Sequence, residues 1–115
     1  MIKKKLENDI QNEIFDFLLK ENYFFWRSNN VPVFGKNNGG KYMYRKLPKH
    51  TPKGLPDICV VHNGEFIAVE VKRDGCHLTE DQALFGEKVM CANAWYYCVH
   101  SVDELKEKYP FNKSA

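Results

Sequence analysis

No stretch of this chain is apolar for long enough to cross a bilayer as a helix, so a helical membrane protein is excluded. An excess of either charge is lacking too, with 17 Lys and Arg against 15 Asp and Glu. The formal net charge is +2, which excludes a polycation that binds by bulk charge alone. Cysteine is sparse, with Cys59, Cys76, Cys91 and Cys98 and no C-x-x-C pair, so a zinc ribbon or a thioredoxin-like redox centre has no basis. Cys76 and His77 are adjacent, and adjacent residues rarely ligate one zinc. With no leader-like segment at its start, the chain is expected to be cytoplasmic and not secreted, its thiols reduced and mostly buried. No internal repeat or low-complexity tract occurs. What is present is 115 residues with 43% hydrophobic content, which suits one core and one domain over residues 1–115.

The informative segment is Asp57 to Lys72. Asp57-Ile58-Cys59-Val60-Val61 and Glu65-Phe66-Ile67-Ala68-Val69-Glu70-Val71-Lys72 are strand-like in composition. Asn63-Gly64 between them is a strong hairpin signal, because a type I′ turn needs positive φ at both central residues. A two-residue turn sets His62 against Glu65 and, counting outward, Asp57 against Glu70. Side chains alternate along a strand, so Glu70 and Lys72 share one face with Asp57. A one-residue slip would move Asp57 to the other face.

Two carboxylates this close repel unless a cation or a proton stands between them. Oxygen ligands suit a hard cation such as Mg²⁺, which keeps several waters and takes other ligands from phosphate. Lys72 on the same face is placed to orient a water or to stabilise charge developing on phosphate. The competing account is a solvated hairpin with surface ion pairs. The coincidence of a Pro-Asp strand start and a charged pair in register favours a site.

Elsewhere the pattern predicts a first helix over about residues 3–21, with Leu6, Ile10, Ile14, Phe17 and Leu18 facing the core. Tyr23 to Arg27 suggests an extended stretch feeding the sheet. Asn37-Asn38-Gly39-Gly40 predicts a β-ribbon between residues 31–34 and 41–45. Lys36, Lys41, Arg45, Lys46, Lys49 and Lys53 lie in this region, and no acidic residue falls between Trp26 and Leu55. With Tyr42 and Tyr44 alternating among the cations, the ribbon suits nucleic acid, although the tyrosines equally suit the edge of a core. Arg27 is a candidate phosphate ligand or partner for a site carboxylate.

Thr79-Glu80-Asp81-Gln82 is a capping box that opens a second helix, with Leu84, Phe85, Val89 and Met90 as its apolar side. Gln82 thus has a structural role to set against any role at the site. Trp95 to Val99 is a strand, parallel to the one ending at Lys72 because a helix crosses over between them. Ser101 to Glu104 is a second capping box, opening a helix to about Tyr109. The order gives an α/β sandwich around a mixed sheet.

Pro56-Asp57, followed thirteen residues after Asp57 by Glu70-Val71-Lys72, resembles the PD-(D/E)XK nuclease core. With Glu7 to Gln11, Trp26-Arg27, Gly54 to Ile58 and Leu78 to Gln82, the chain resembles the VRR-NUC branch from about Lys3 to Glu104. That branch occurs alone in phages and as a module of larger repair proteins. Where relatives have a small residue and glycine before the last strand, this chain has Ala92-Asn93-Ala94, and Asn tolerates the left-handed turn.

The resemblance implies a restriction-endonuclease-like α/β sandwich, its central mixed β-sheet flanked by helices. It implies Asp57 and Glu70 as metal ligands, with the Val71 carbonyl and Glu7 added, and Lys72 and Gln82 in catalysis. The implied cofactor is Mg²⁺, with Mn²⁺ as substitute. The expected activity is hydrolysis of DNA phosphodiesters by a stand-alone nuclease in a bacterial or phage-infected cell. Branched DNA such as a Holliday junction, cut by a homodimer, comes first. A flap or duplex nuclease and a silent DNA-binding module of the same fold are the alternatives. Arg27, Lys36, Lys41, Tyr44, Arg45 and Lys53 are the expected DNA contacts.

Overall fold

A computed structural model describes residues 5–28, the backbone of 33–36 and 42–45, and residues 49–113. Helix α1 (Glu7–Lys20) carries Ile10, Ile14 and Leu18 inward at helical spacing. Its start lies later than the sequence pattern suggests. Leu6 has extended backbone and its N–H donates to the Asp9 carboxylate, so Leu6 precedes the helix and its side chain is exposed rather than in the core.

Strands β1 (Phe24–Arg27), β4 (Ile58–His62), β5 (Glu65–Val71) and β6 (Trp95–Val99) form one sheet in the order β1-β4-β5-β6. The first two pairings are antiparallel and β5–β6 is parallel, which makes the sheet mixed. Strands β2 (Val33–Lys36) and β3 (Tyr42–Arg45) pair antiparallel as a separate ribbon. Helix α2 (Glu80–Cys91) crosses from β5 to β6, and α3 (Val102–Lys106) and a 3₁₀ turn (Phe111–Lys113) close the described chain.

Sheet alternation divides the interior. Ile58 and Val60 on β4, Ile67, Val69 and Val71 on β5, and Val99 on β6 join Ile10, Ile14, Leu18, Leu105 and Phe111 in one core. That is the α1–α3 side. Ala68, Glu70, Tyr96 and Cys98 alternate to the opposite side, where α2 packs against β6. Gly86 is the buried residue of α2, because a Cβ there would lie 2.7 Å from the Tyr96 ring. Leu84 and Met90 are exposed, so the apolar side expected for α2 is corrected. The inward line runs through Gln82, Phe85, Gly86 and Val89, and the helix approaches through glycine and one ring.

The hairpin turn is as expected, with φ of 51° at Asn63 and 80° at Gly64, and His62 pairs with Glu65. Asn93 takes φ of 63° before β6. Helix α3 ends at Lys106, short of Tyr109. Ser101 Oγ accepts from the Glu104 N–H, but the Glu104 carboxylate accepts from the His100 N–H, so only half of the second capping box forms. The cysteines are all free, yet only Cys59 is buried and Cys91, at the end of α2, is exposed, which corrects the expectation of mostly buried thiols. Among the described residues no helix is long and apolar enough to cross a membrane.

Ile14 is fully buried whereas Leu6 is 57% exposed. Ile14→Ala is therefore expected to cost about 2–5 kcal/mol in urea unfolding and Leu6→Ala at most about 0.5 kcal/mol.

Candidate functional site

Asp57 and Glu70 stand where the hairpin register brings them. Extending the observed Ile58–Val69 pair by one step sets Asp57 opposite Glu70. Asp57 Oδ2 accepts the Val71 N–H at 2.8 Å, which locks the carboxylate against the end of β5. Both residues are buried, at 4% and 2% exposure. Glu70 Oε1 accepts from Gln82 Nε2 at 3.0 Å, while Oε2 is buried with no donor.

Burial pushes the Glu70 carboxyl pKa up to about 9, helped by the Asp57 charge and by a hydrogen bond between the two carboxyls. Lys72 pulls it down and the Glu7 charge adds slightly to the rise. The fold thus disfavours the charged form of Glu70 beside Asp57. A cation would meet the two needs the fold leaves open there: positive charge beside the carboxyls and a partner for Glu70 Oε2. The donor set is hard oxygen, which fits Mg²⁺ or Mn²⁺. Among the described residues no group of three or more His, Cys, Asp or Glu converges as a metal cluster, so the protein offers this pair. A site with few protein ligands leaves room for water and phosphate oxygens.

Gln82 serves two partners at once. Its N–H donates to Thr79 Oγ1 and its Oε1 accepts the Thr79 N–H at 2.9 Å, completing the capping box. Its Nε2 is then free to reach Glu70. The first turn of α2 is held close by Gly54, whose φ is +75° and whose Cβ, if present, would stand 2.3 Å from the Asp81 carbonyl oxygen. The segment Gly54 to Asp57 and the start of α2 are thus packed backbone to backbone beside the carboxyls.

Lys72 is half-buried at the end of β5, its N–H bonded to the Val99 carbonyl at 3.0 Å. Glu7 lies in the first turn of α1 and lines a surface pocket with Leu6, Asn8 and Arg73; its charge acts on Glu70 and on Arg73. Glu13 is tied to Lys5 at 2.6 Å. Arg27 pairs in register with Ile58, so it belongs to the α1 side of the sheet, and its guanidinium lies 5.0 Å from the centre of the Phe15 ring. The structure does not bring it together with Asp57 and Glu70. Lys53 is exposed just before Gly54. Lys36 and Tyr42, and Phe34 and Tyr44, are register partners in the ribbon, where Arg45 faces Val33. Lys41 lies outside the described residues.

Tyr96 was not singled out by the sequence. It pairs with Ala68 on β5, on the Glu70 side, and its hydroxyl is buried without a partner. Burial and the Glu70 charge push its pKa upward. Its neighbour Cys98 faces Glu70 in register, and burial raises the thiol pKa in the same way. Alternation along β6 places both residues once the register is known, and composition alone does not supply that register.

No family model and no curated protein matches the chain. Among solved structures it is similar to one titled "VRR_NUC domain", with a TM-score of 0.63 and 20% identity over 90% of this chain and 96% of that one. The likeness shows a shared α/β fold and supports the resemblance read from the sequence.

Two outcomes follow from the buried groups. The Glu70 pKa is raised from 4.5 to about 9, so the folded chain holds a proton that the unfolded chain has lost across that window. The contribution of this group is full below the lower value and is lost as pH rises toward the upper one. Glu70→Gln cannot titrate, so its urea midpoint should gain on the natural protein progressively from pH 5 to pH 9. Tyr96→Phe removes an unpaired buried hydroxyl, and thermal unfolding should show it to be neutral or more stable by about 1 kcal/mol.

Proposed function

We propose that this chain, as one domain over residues 1–115, is a metal-dependent nuclease that hydrolyses DNA phosphodiester bonds, acting in the cytoplasm of a bacterial or phage-infected cell. The observation that carries this is the buried Asp57–Glu70 pair, with Glu70 Oε2 left without a donor, beside Lys72. The fold shared with a structure titled "VRR_NUC domain" adds support.

Asp57 and Glu70 would hold Mg²⁺ or Mn²⁺, joined by the Val71 carbonyl, while Glu7 in the first turn of α1 would act on the site through its charge. The metal, when bound, polarises the phosphoryl oxygen and lowers the pKa of water. Lys72 orients the attacking water and balances negative charge on phosphate as oxygen adds to phosphorus. The water gives up a proton to solvent, the bond from phosphorus to the leaving oxygen breaks, and that oxygen takes up a proton from solvent. Gln82 holds Glu70 in the orientation its ligand role needs. Lys36, Lys41, Tyr44, Arg45 and Lys53 supply contacts to the DNA. Arg27, on the other side of the sheet, would meet only a strand that wraps the edge at β1. The favoured substrate is branched DNA, cut by a homodimer that places two sites on two strands of a junction.

The test is incubation with a labelled four-way junction, a flap and plain duplex, in Mg²⁺, Mn²⁺ or EDTA. Paired nicks confined to the junction support a dimeric resolvase. Cleavage mainly of flap or duplex keeps the nuclease and rejects the junction preference. Asp57→Ala, Glu70→Ala and Lys72→Ala should each lose about 10²-fold or more in rate with the circular dichroism spectrum retained. Normal cleavage by all three would sink the mechanism. Metal binding with no cleavage of any DNA would assign the protein to a silent binding module.

A further inference from the structure

Strand β1 is an edge strand, and it exposes large rings where an edge is expected to be polar. Phe24 is 68% exposed and Trp26 42%, and Val61 beside them on β4 is 37% exposed. The ring centres of Phe24 and Trp26 are 5.7 Å apart with planes at 49°. Register fixes which side of the sheet they occupy. Phe24 pairs with Val61, which pairs with Phe66; Trp26 pairs with Cys59, which pairs with Ala68. This is the side of Asp57 and Glu70, two residues further along β4 and β5. Helix α2 packs against β6 at the opposite edge.

We infer that Phe24 and Trp26 form a stacking platform for unpaired nucleotides next to the Asp57–Glu70 carboxyls. The inference rests on the nuclease assignment above and narrows its substrate to nucleic acid with unstacked bases. One strand spacing and two residues of rise put the Trp26 Cα about 8 Å from that of Asp57. A base on Trp26 therefore belongs to a nucleotide close to the phosphate at the carboxyls.

The sequence that joins the platform to the site is one-sided in charge. From Arg27 to Gly54, the segment joining Trp26 to the site holds seven Lys and Arg and no Asp or Glu. In an intact duplex the base faces are already stacked on one another, so side chains on a sheet reach them only where strands part. A second copy of this chain is the other occupant such rings could take. It would also cover the side from which a phosphodiester must approach Asp57 and Glu70.

The experiment uses Trp95→Phe protein in EDTA, so that Trp26 is the sole tryptophan and nothing is cut. Its emission is followed as single-stranded, junction and blunt duplex DNA are added, with binding read separately by anisotropy. Quenching by single-stranded and junction DNA but not by duplex supports the platform. Phe24→Ala and Trp26→Ala should each weaken single-strand binding about tenfold or more, and Trp26→Phe should restore most of it. Tight binding without quenching, or affinity unchanged in both alanine variants, overturns it. So does a concentration-dependent dimer that Phe24→Ala and Trp26→Ala dissolve in sedimentation without altering single-strand affinity. Quenching by a protein that cleaves nothing in Mg²⁺ would keep the platform and fail the nuclease. Cleavage without quenching would do the reverse.

Discussion

The register of one hairpin governs the site. Asn63 and Gly64 both adopt positive φ, and that fixes His62 against Glu65 and every pair beyond it. Because side chains alternate, one number decides whether Asp57 meets Glu70 or enters the hydrocarbon of Ile67, Val69 and Val71. The fold enforces the number from both sides. Val60, Ile67 and Val69 are fully buried on one face, so a slip would turn them out and drive Glu70 into the core in their place. Apolar burial on the α1 side thus holds the carboxyls together on the other.

That packing works against electrostatics. Two carboxyls with under 5% exposure would be costly as a pair of anions, and burial with the Asp57 charge pushes the Glu70 pKa upward. Glu65 shows the contrasting case in the same strand. Its two oxygens accept from Tyr109 and Trp95, and those bonds lower its pKa. It serves as a clamp between β5, β6 and the chain end. The two glutamates differ in donors received, and that difference separates a structural carboxylate from one left open to a ligand.

Much of this could be read from sequence where local rules carry the information. The hairpin, the Thr79–Gln82 box, the left-handed Asn93 and the parallel β6 each follow from a few neighbouring residues. Failures arise where distant parts decide. One failure is local: Leu6 matches the helical stripe, yet the helix begins after it because Asp9, three residues on, takes its N–H. Leu84 and Met90 look like an apolar face, but α2 lies over a tyrosine ring through Gly86. Arg27 sits beside Trp26 in sequence and on the opposite side of the sheet, stacked on Phe15. The orphaned hydroxyl of Tyr96 depends on register and helix approach together, which no local pattern encodes.

The double duty of Gln82 has a dynamic consequence. The amide that closes the first turn of α2 is the one that holds Glu70, so the helix end and the carboxyl form one mechanical unit. Any event that draws Glu70 away also loosens the bonds at Thr79, and fraying of that turn releases Glu70 in return. Local opening of α2 and occupancy at the carboxyls are then thermodynamically linked. Amide hydrogen exchange in the first turn of α2 becomes an internal gauge of whether the carboxyls are engaged, readable without substrate and without turnover.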